Sequence, residues 1–212
     1  MKINQHQKAF KEELEQNREE LGKIPEWLKV RLPSGQNYKE VYELMRKSKL
    51  NTVCEEAKCP NLAECWNRKT ATFMILGDTC TRSCGFCNVN LGLPNELDLD
   101  EPRRVAESVE TLGLKHVVIT SVNRDELKDG GASIFSESVR LIRERMPDTT
   151  IEILIPDFKG EEHAFEIILK NPPDILNHNM ETVKRLYHGV RPQAKYERSL
   201  DVIKWFKEKG LR

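Results

Sequence analysis

The sequence predicts an α/β fold, a partial (β/α) barrel preceded by a helical N-terminal arm. Three observations carry that prediction. After residue 70, short apolar runs alternate with amphipathic stretches at helical spacing. Before residue 50, two charge-rich stretches with thin apolar stripes read as surface helices. Six cysteines fall in two compact triplets around the junction of these regions.

Residues 5–22 set Phe10, Leu14 and Leu21 among recurring Glu/Lys and Glu/Arg pairs, the pattern of an amphipathic surface helix. Pro25 and Pro33-Ser34-Gly35 interrupt it, and residues 38–47, with Val41, Leu44 and Met45, give a second helix. The arm is therefore expected over 1–52, packed on something larger, with a cysteine-rich segment at 53–69. The β-like run 71–76 stops at Gly77-Asp78 and opens the third region, 70–212. Helices over 102–112, 132–145 and 161–169 precede strands over 116–120, 151–155 and 174–177, and a last helix, 196–209, ends on Gly210. Short apolar strands between amphipathic helices mean a parallel sheet covered by helices. Four β/α units are legible, whereas a closed barrel has eight and about 250 residues. The barrel is expected to be partial, its C-terminal strands missing.

Lys plus Arg and Asp plus Glu number 34 each, so there is no basic excess to attract nucleic acid or an anionic membrane. The apolar runs fall far short of the ~20 residues that cross a bilayer, and the mean hydropathy is −0.60. The N-terminus lacks the apolar core of a secretion signal. A cytoplasmic protein without nucleic-acid or membrane partners is expected. In a reducing compartment six cysteines serve as metal ligands or catalytic groups rather than as a disulfide framework.

The triplets are Cys54-x4-Cys59-x5-Cys65 and Cys80-x3-Cys84-x2-Cys87. Each is expected on one short loop, where three thiolates can converge on a point without long-range closure entropy. Zinc favours paired Cys-x2-Cys units, and just Cys84/Cys87 has that form. A four-iron cubane that merely transfers electrons takes four thiolates, so a triplet leaves one iron open to another ligand. In the second triplet the amino and carboxylate groups of S-adenosylmethionine suit that vacancy. This triplet follows the first barrel strand at its C-terminal end, where barrel active sites are built.

Polar residues at other strand ends are candidates to hold such a cofactor. Thr120, Ser121, Asn123 and Asp125 follow the second strand, and Asn177, His178, Asn179 and Glu181 follow the fourth. The competing reading is that Asn and Asp cap the next helix. His178 reads as a satisfied structural histidine. Arg191 is placed to pair with a carboxylate or to serve as a structural arginine, and Gly130-Gly131 reads as a tight turn before a helix.

The stretch Cys80-Thr81-Arg82-Ser83-Cys84-Gly85-Phe86-Cys87 resembles the signature of the radical S-adenosylmethionine (radical SAM) superfamily. TVCEEAKCPNLAECW (52–66) resembles the auxiliary-cluster motif of the lipoyl synthase family. PEWLKVRLP (25–33), TATFMILGDTCTRSCGFC (70–87), VVITSVNRDELKDGG (117–131), IEILIPDF (151–158), NHNMETV (177–183) and YERSL (196–200) are similar to the same family, so the likeness runs from about residue 25 to the end.

The resemblance implies two [4Fe–4S] clusters and S-adenosylmethionine as cofactors. Cys80, Cys84 and Cys87 would be catalytic, holding the cluster that cleaves S-adenosylmethionine, and Cys54, Cys59 and Cys65 would hold the sacrificial sulfur donor. Phe86 would lie near the adenine, with Thr120, Ser121, Asn179, Glu181 and Arg191 as further cofactor contacts. Sulfur would enter at C6 and C8 of an octanoyl group on a lipoyl-carrier protein, the glycine cleavage H protein or an acyltransferase lipoyl domain. Electrons would come from a donor such as flavodoxin or ferredoxin. The family's fourth auxiliary ligand, a serine in a C-terminal Arg-Ser-Ser-Tyr motif, has no counterpart here; no serine, Ser199 included, is assigned that role, and these residues alone are expected to turn over poorly. Two alternatives stand beside this reading. One is another radical sulfur inserter such as biotin synthase, against which Cys54, Cys59 and Cys65 argue; the other is a metal-binding fragment without turnover.

Overall fold

The computed structural model describes Leu32 and residues 34–211; the helix expected over 5–22 lies outside them. Helix α1 (Gln36–Ser48) buries Val41 and Met45. It begins after Gly35, whose φ is 110° and whose Cβ, if it had one, would sit 2.2 Å from the Asn67 amide oxygen. That close approach lets Asn67 Nδ2 donate to the Ser34 carbonyl at 2.6 Å and Asn37 Nδ2 to the Asn67 carbonyl at 2.8 Å. The chain then forms β1 (Asn51–Thr52), α2 (Val53–Glu56) and α3 (Leu62–Asn67). The first cysteine segment is thus not one loop. Thr52 Oγ1 accepts from Glu55 N at 3.3 Å and starts a helix of one turn, too short to leave a periodic signal in the sequence.

Strand β2 (Thr72–Ile75) is followed by the short strands β3 (Thr79–Cys80) and β4 (Asn90–Leu91), which pair with each other in parallel. The β/α units continue with α4 (Glu101–Leu112), β5 (His116–Ser121), α5 (Ala132–Arg145), β6 (Thr150–Leu154), α6 (Glu162–Lys170) and β7 (Ile175–Asn177). A one-turn helix α7 (Tyr187–Val190) and the longer α8 (Tyr196–Glu208) complete the order. The main sheet runs β1-β2-β5-β6-β7, parallel except for β1, which lies antiparallel on β2. Among the described residues the sheet is open, with β1 and β7 at its edges. No helix among them is long and apolar enough to cross a membrane.

Alternation sorts the side chains of the parallel strands. Val117, Ile119, Ile151 and Ile153 are fully buried, in one core with Val105 and Val109 of α4, Phe135 and Ile142 of α5, and Phe165 and Ile168 of α6. The opposite face is lined across three strands by Met74, Thr120 and Leu154, which occupy one register row that continues to Asn177. This row forms the base of the candidate site.

Two expectations shift. Thr120 and Ser121 lie inside β5 rather than after it, because pairing with Met74 and Ile75 carries the ladder to Ser121. Helix α4 starts one residue earlier than expected, at Glu101, whose buried carboxylate accepts from Leu76 N at 2.7 Å. Gly130 (φ 59°) and Gly131 (φ 92°) make the expected turn into α5.

A Cβ at Gly131 would stand 2.2 Å from Leu76 Cδ1, and Leu76 is itself buried with φ 70°. Gly131→Ala is therefore expected to cost about 2 kcal/mol, lowering the melting temperature by roughly 4–8 °C for a chain of this size. An unchanged thermal melt would show that the packing of Leu76 on Gly131 has slack.

Candidate active site

The second cysteine triplet lies on the loop that leaves β2, and the start of that loop is tied down residue by residue. Cys80 Sγ accepts from Arg82 N at 3.4 Å and Asn123 N at 3.3 Å. Thr81 N and Oγ1 both donate to the Asn123 carbonyl, at 3.1 and 3.0 Å, and Thr81 Oγ1 accepts from Asp125 N at 3.1 Å. Ser83 N donates to Gln193 Oε1 at 3.1 Å, and Gly85 N to the Val190 carbonyl at 2.9 Å. Asn123, through its backbone, and Asp125 therefore serve the cysteine loop, and the next helix α5 is preceded by Gly131 rather than capped by either.

Arg82 is the deepest of these ties, its side chain 2% exposed. It grips Asp125 with two hydrogen bonds, Nε to Oδ2 at 2.6 Å and Nη2 to Oδ1 at 2.8 Å. The same Nη2 reaches Asp157 Oδ1 at 2.7 Å. Arg198 of α8 completes the cluster with an ion pair to Asp157 Oδ2 at 2.8 Å, close in distance although not aligned as a hydrogen bond. Two guanidinium and two carboxylate groups balance. Burial alone would push the Asp157 carboxyl up, but the bond and charge of Arg82 and the charge of Arg198 outweigh it and hold the group below the usual carboxylate range.

Above the register row opens a cavity lined by all three cysteines of this triplet and by Phe86, Thr120, Ser121, Asn123, His178, Asn179, Glu181 and Arg191. Phe86, Thr120, Ser121, Asn179, Glu181 and Arg191, expected as cofactor contacts, are among them, whereas the strand-end candidates Asp125 and Asn177 are not. Thr120 Oγ1 is already used, donating to the Leu154 carbonyl at 2.9 Å, and Asn179 Nδ2 is bonded to Glu181 Oε1 at 2.8 Å. Arg191 Nη1 donates to the Asn179 carbonyl at 2.6 Å and to Tyr187 Oη at 2.9 Å, so its partners differ from the carboxylate considered from sequence. Ser121 Oγ and Arg191 Nε are buried with no hydrogen-bond partner. Unpaired polar atoms are costly inside a protein, and two of them on one cavity wall fit a ligand that brings polar groups of its own.

The thiols suit metal binding more than free chemistry. Burial pushes Cys84 up to about 11, against the Arg191 guanidinium beside it, which favours the thiolate; the neighbouring Cys87 and Cys80 sulfurs push it further up. Burial likewise raises Cys87. Among the described residues no three His, Cys, Asp or Glu side chains are drawn close enough to ligate one ion. The thiols surround a space rather than converging on the point expected from sequence, an arrangement compatible with a cubane, whose thiolates each bind a different iron.

The first triplet is framed by α2 and α3. Cys54 is buried, and burial raises its pKa against opposing contacts from the Thr72 backbone N–H and the Trp66 indole. Trp66 is fully buried, and its Nε1 makes no hydrogen bond of normal geometry, so a donor stands open beside Cys54. The two cysteine segments meet directly where Asn88, next to Cys87, donates through Nδ2 to the Glu56 carbonyl at 3.0 Å.

A profile described as the radical SAM superfamily matches residues 74–212, which spans the cysteine loop, the register row and every residue lining the cavity. The chain belongs to the radical SAM superfamily. A second profile, the N-terminal domain of lipoyl synthase of the same family, matches residues 1–59. This radical SAM chain is 60% identical to the lipoyl synthase of Rubrobacter xylanophilus over 184 residues, 87% of the chain and 57% of that protein. It is 56% identical to the lipoyl synthase of Symbiobacterium thermophilum over 191 residues, 90% of the chain and 60% of that protein. Against the lipoyl synthase of Staphylococcus aureus the identity is 58% over 191 residues, 90% of the chain and 63% of that protein. The chain thus spans about three-fifths of the length of these relatives. The cofactors of the superfamily and of its lipoyl synthase branch are S-adenosylmethionine and [4Fe–4S] clusters, two of them in that branch.

Sequence reasoning passed over several residues of the radical SAM site. Asp157 directly follows the Ile151-to-Pro156 stretch, the same kind of position that drew attention to Asn123 and Asp125. Arg82 stood in plain view inside the cysteine signature. Tyr187 and Trp66 gave no signal, because their roles depend on partners distant along the chain.

Asp157→Asn leaves Arg198 and part of Arg82 uncompensated in a buried setting, an expected loss of about 3–5 kcal/mol at pH 7. Because folding depresses the Asp157 pKa, its contribution is present above the unfolded value of ~3.9 and is lost as pH falls through the lower folded value. Melting temperatures of wild type and variant should therefore differ most near neutrality and draw together toward pH 2. A gap that stays constant with pH would mean that the ion cluster is not its source.

Proposed function

We propose that the chain carries the cluster-binding machinery of a lipoyl synthase, which inserts two sulfur atoms at C6 and C8 of an octanoyl group held on a lipoyl-carrier protein. The observation that supports the reading is the Asn88–Glu56 hydrogen bond, by which the two cysteine-bearing segments touch. Biotin synthase, the rival sulfur inserter, is disfavoured by the segment containing Cys54, Cys59 and Cys65.

In this reading Cys80, Cys84 and Cys87 hold one [4Fe–4S] cluster and Cys54, Cys59 and Cys65 the other. Bound there, the first cluster with S-adenosylmethionine would supply radical chemistry at carbon, and the second would supply the sulfur. The protein's own part is placement. Arg82 locks the cysteine loop over the strand ends. Ser121 Oγ and Arg191 Nε offer their free donors to the methionyl end of the cofactor, and Asn179 and Glu181 offer polar edges at the cavity wall. Phe86, 45% exposed, gives a flat apolar surface against which an adenine can lie. Met74, Leu154 and Ile155 keep the floor apolar, where a reactive carbon radical meets few polar groups. The carrier would be the glycine cleavage H protein or an acyltransferase lipoyl domain, the electron donor a flavodoxin or ferredoxin, and the setting the cytoplasm.

Anaerobic reconstitution should load about eight irons per chain, as two cubanes require, and about four after Cys54, Cys59 and Cys65 are all changed to Ala. With reductant, the unaltered chain should cleave S-adenosylmethionine, and what slow turnover it shows should consume an octanoylated carrier in preference to dethiobiotin. Iron loading indifferent to those three substitutions, or tight zinc retention without cofactor cleavage, would overturn the proposal.

A further inference from the structure

Along the cavity wall, a largely buried chain of polar side chains runs from the end of β7 to the cysteine loop. His178 Nδ1 lies 2.9 Å from the Ile155 carbonyl, and His178 Nε2 lies 2.9 Å from Ser199 Oγ. Ser199 Oγ is 2.9 Å from Tyr187 Oη, and Tyr187 Oη is 2.9 Å from Arg191 Nη1. Ser199 is fully buried, with Tyr187 and Arg191 nearly so. Arg191 also packs over the Tyr187 ring, 5.3 Å from its centroid.

Chemistry fixes the direction of every link. A carbonyl can merely accept, so His178 Nδ1 carries the proton given to Ile155. Burial holds His178 below its usual pKa, so its ring is neutral and Nε2 accepts from the Ser199 hydroxyl. Ser199 Oγ, having donated, accepts from the Tyr187 hydroxyl. Tyr187 Oη, having donated, accepts from Arg191, which has no acceptor of its own. All the bonds point the same way, and such chains polarise one another in a low-dielectric interior.

We infer that His178, Ser199 and Tyr187 are positioning residues that hold the Arg191 guanidinium against Cys84, where its fixed positive charge favours the reduced state of the cluster on Cys80, Cys84 and Cys87. The inference rests on the proposal that these three cysteines hold a four-iron cluster. The docking is supported from the backbone too, since Gly85 N donates to the carbonyl of Val190, the residue before Arg191, at 2.9 Å. Cluster potentials respond to nearby charge and hydrogen bonding, and reduction adds negative charge, which a neighbouring cation stabilises.

The test is a redox titration of the reconstituted chain, following the electron paramagnetic resonance signal that responds to added S-adenosylmethionine. Arg191→Met should make one-electron reduction about tenfold less favourable, a shift of about 59 mV to more negative potential. Tyr187→Phe keeps the cation and the ring but cuts the chain, and should shift the potential in the same direction by less. Arg191→Lys, which keeps the charge, should lie nearest wild type. Potentials unchanged in Arg191→Met and Tyr187→Phe, with normal iron loading, would overturn the inference and leave the cluster proposal standing. So would a lowered melting temperature in Tyr187→Phe with no change of potential, since a merely structural link behaves that way. Should Arg191→Met fail to load, the difference between Tyr187→Phe and Arg191→Lys decides. A wild-type chain that forms no cofactor-responsive cluster removes the premise instead.

Discussion

The loop bearing Cys80, Cys84 and Cys87 has little apolar surface with which to stay in place, and Arg82 supplies the anchor. Its guanidinium is planar and always charged, so it can satisfy Asp125 bidentately while still reaching Asp157. Asp125 follows β5 and Asp157 follows β6, so one side chain from the β2 loop ties the ends of three neighbouring strands together. Burying Arg82 and Asp157, with Asp125 and Arg198 half-buried beside them, is expensive, and a well-packed apolar cluster of similar volume could be as stable. What the ions add is direction. A guanidinium that must meet two carboxylates has few acceptable positions, and the thiols on either side of it inherit that restriction.

The same logic explains where the molecule leaves bonds unmade. Arg82 and the chain from Arg191 Nη1 to His178 join donors to acceptors, whereas Arg198 Nε and Asp157 Oδ2 meet at 2.8 Å without a hydrogen bond. On the cavity wall, Ser121 Oγ and Arg191 Nε make no hydrogen bond. Backbone strain gathers nearby, with positive φ at Leu76, at Phe158 and Lys159, and at Glu181. Leu76 is held there by Glu101 on its N–H and by Arg124 Nη1 on its carbonyl at 3.0 Å. Strained and unsatisfied groups persist where surrounding packing over-determines them, and they mark functional sites more often than chance.

Legibility from sequence followed the range of the interactions. The parallel strands and the longer helices after residue 70 could be read to within a residue or two, because apolar periodicity is a local signal and tertiary packing agreed with it. Strand β1 could not, since two residues carry no pattern and their pairing with Phe73 and Met74 spans a segment containing two helices. The six cysteines and the cavity residues were visible through spacing and through their place at strand ends. Ser121 shows the limit: sequence ranked it with Thr120, yet Thr120 has spent its hydroxyl on Leu154 while Ser121 remains open. Which polar group is already satisfied is a tertiary fact, and no spacing rule carries it.

The two cysteine segments are held by unlike forces, and that bears on how strongly they are coupled. The second depends on buried ions between strand ends. The first depends on apolar packing of α1 and α3, with Trp66 enclosed by the rings of Tyr38 and Tyr42 at centroid distances of 5.3 and 6.4 Å. The arm is fastened to the sheet by the two-residue ladder of β1 and to its helical cover by α1 on α4, where Arg104 Nε reaches the Ser48 carbonyl at 2.8 Å. Groups with no shared partners contribute almost additively, so loosening Trp66 should leave the Arg82 cluster intact, and the reverse. The direct link between the segments, Asn88 to Glu56, is solvent-exposed, and an exposed neutral hydrogen bond contributes about 1 kcal/mol at most. Each segment is therefore held by contacts of its own, and β2 is the frame they share: the first follows β1, which pairs with that strand, and the loop of the second leaves it.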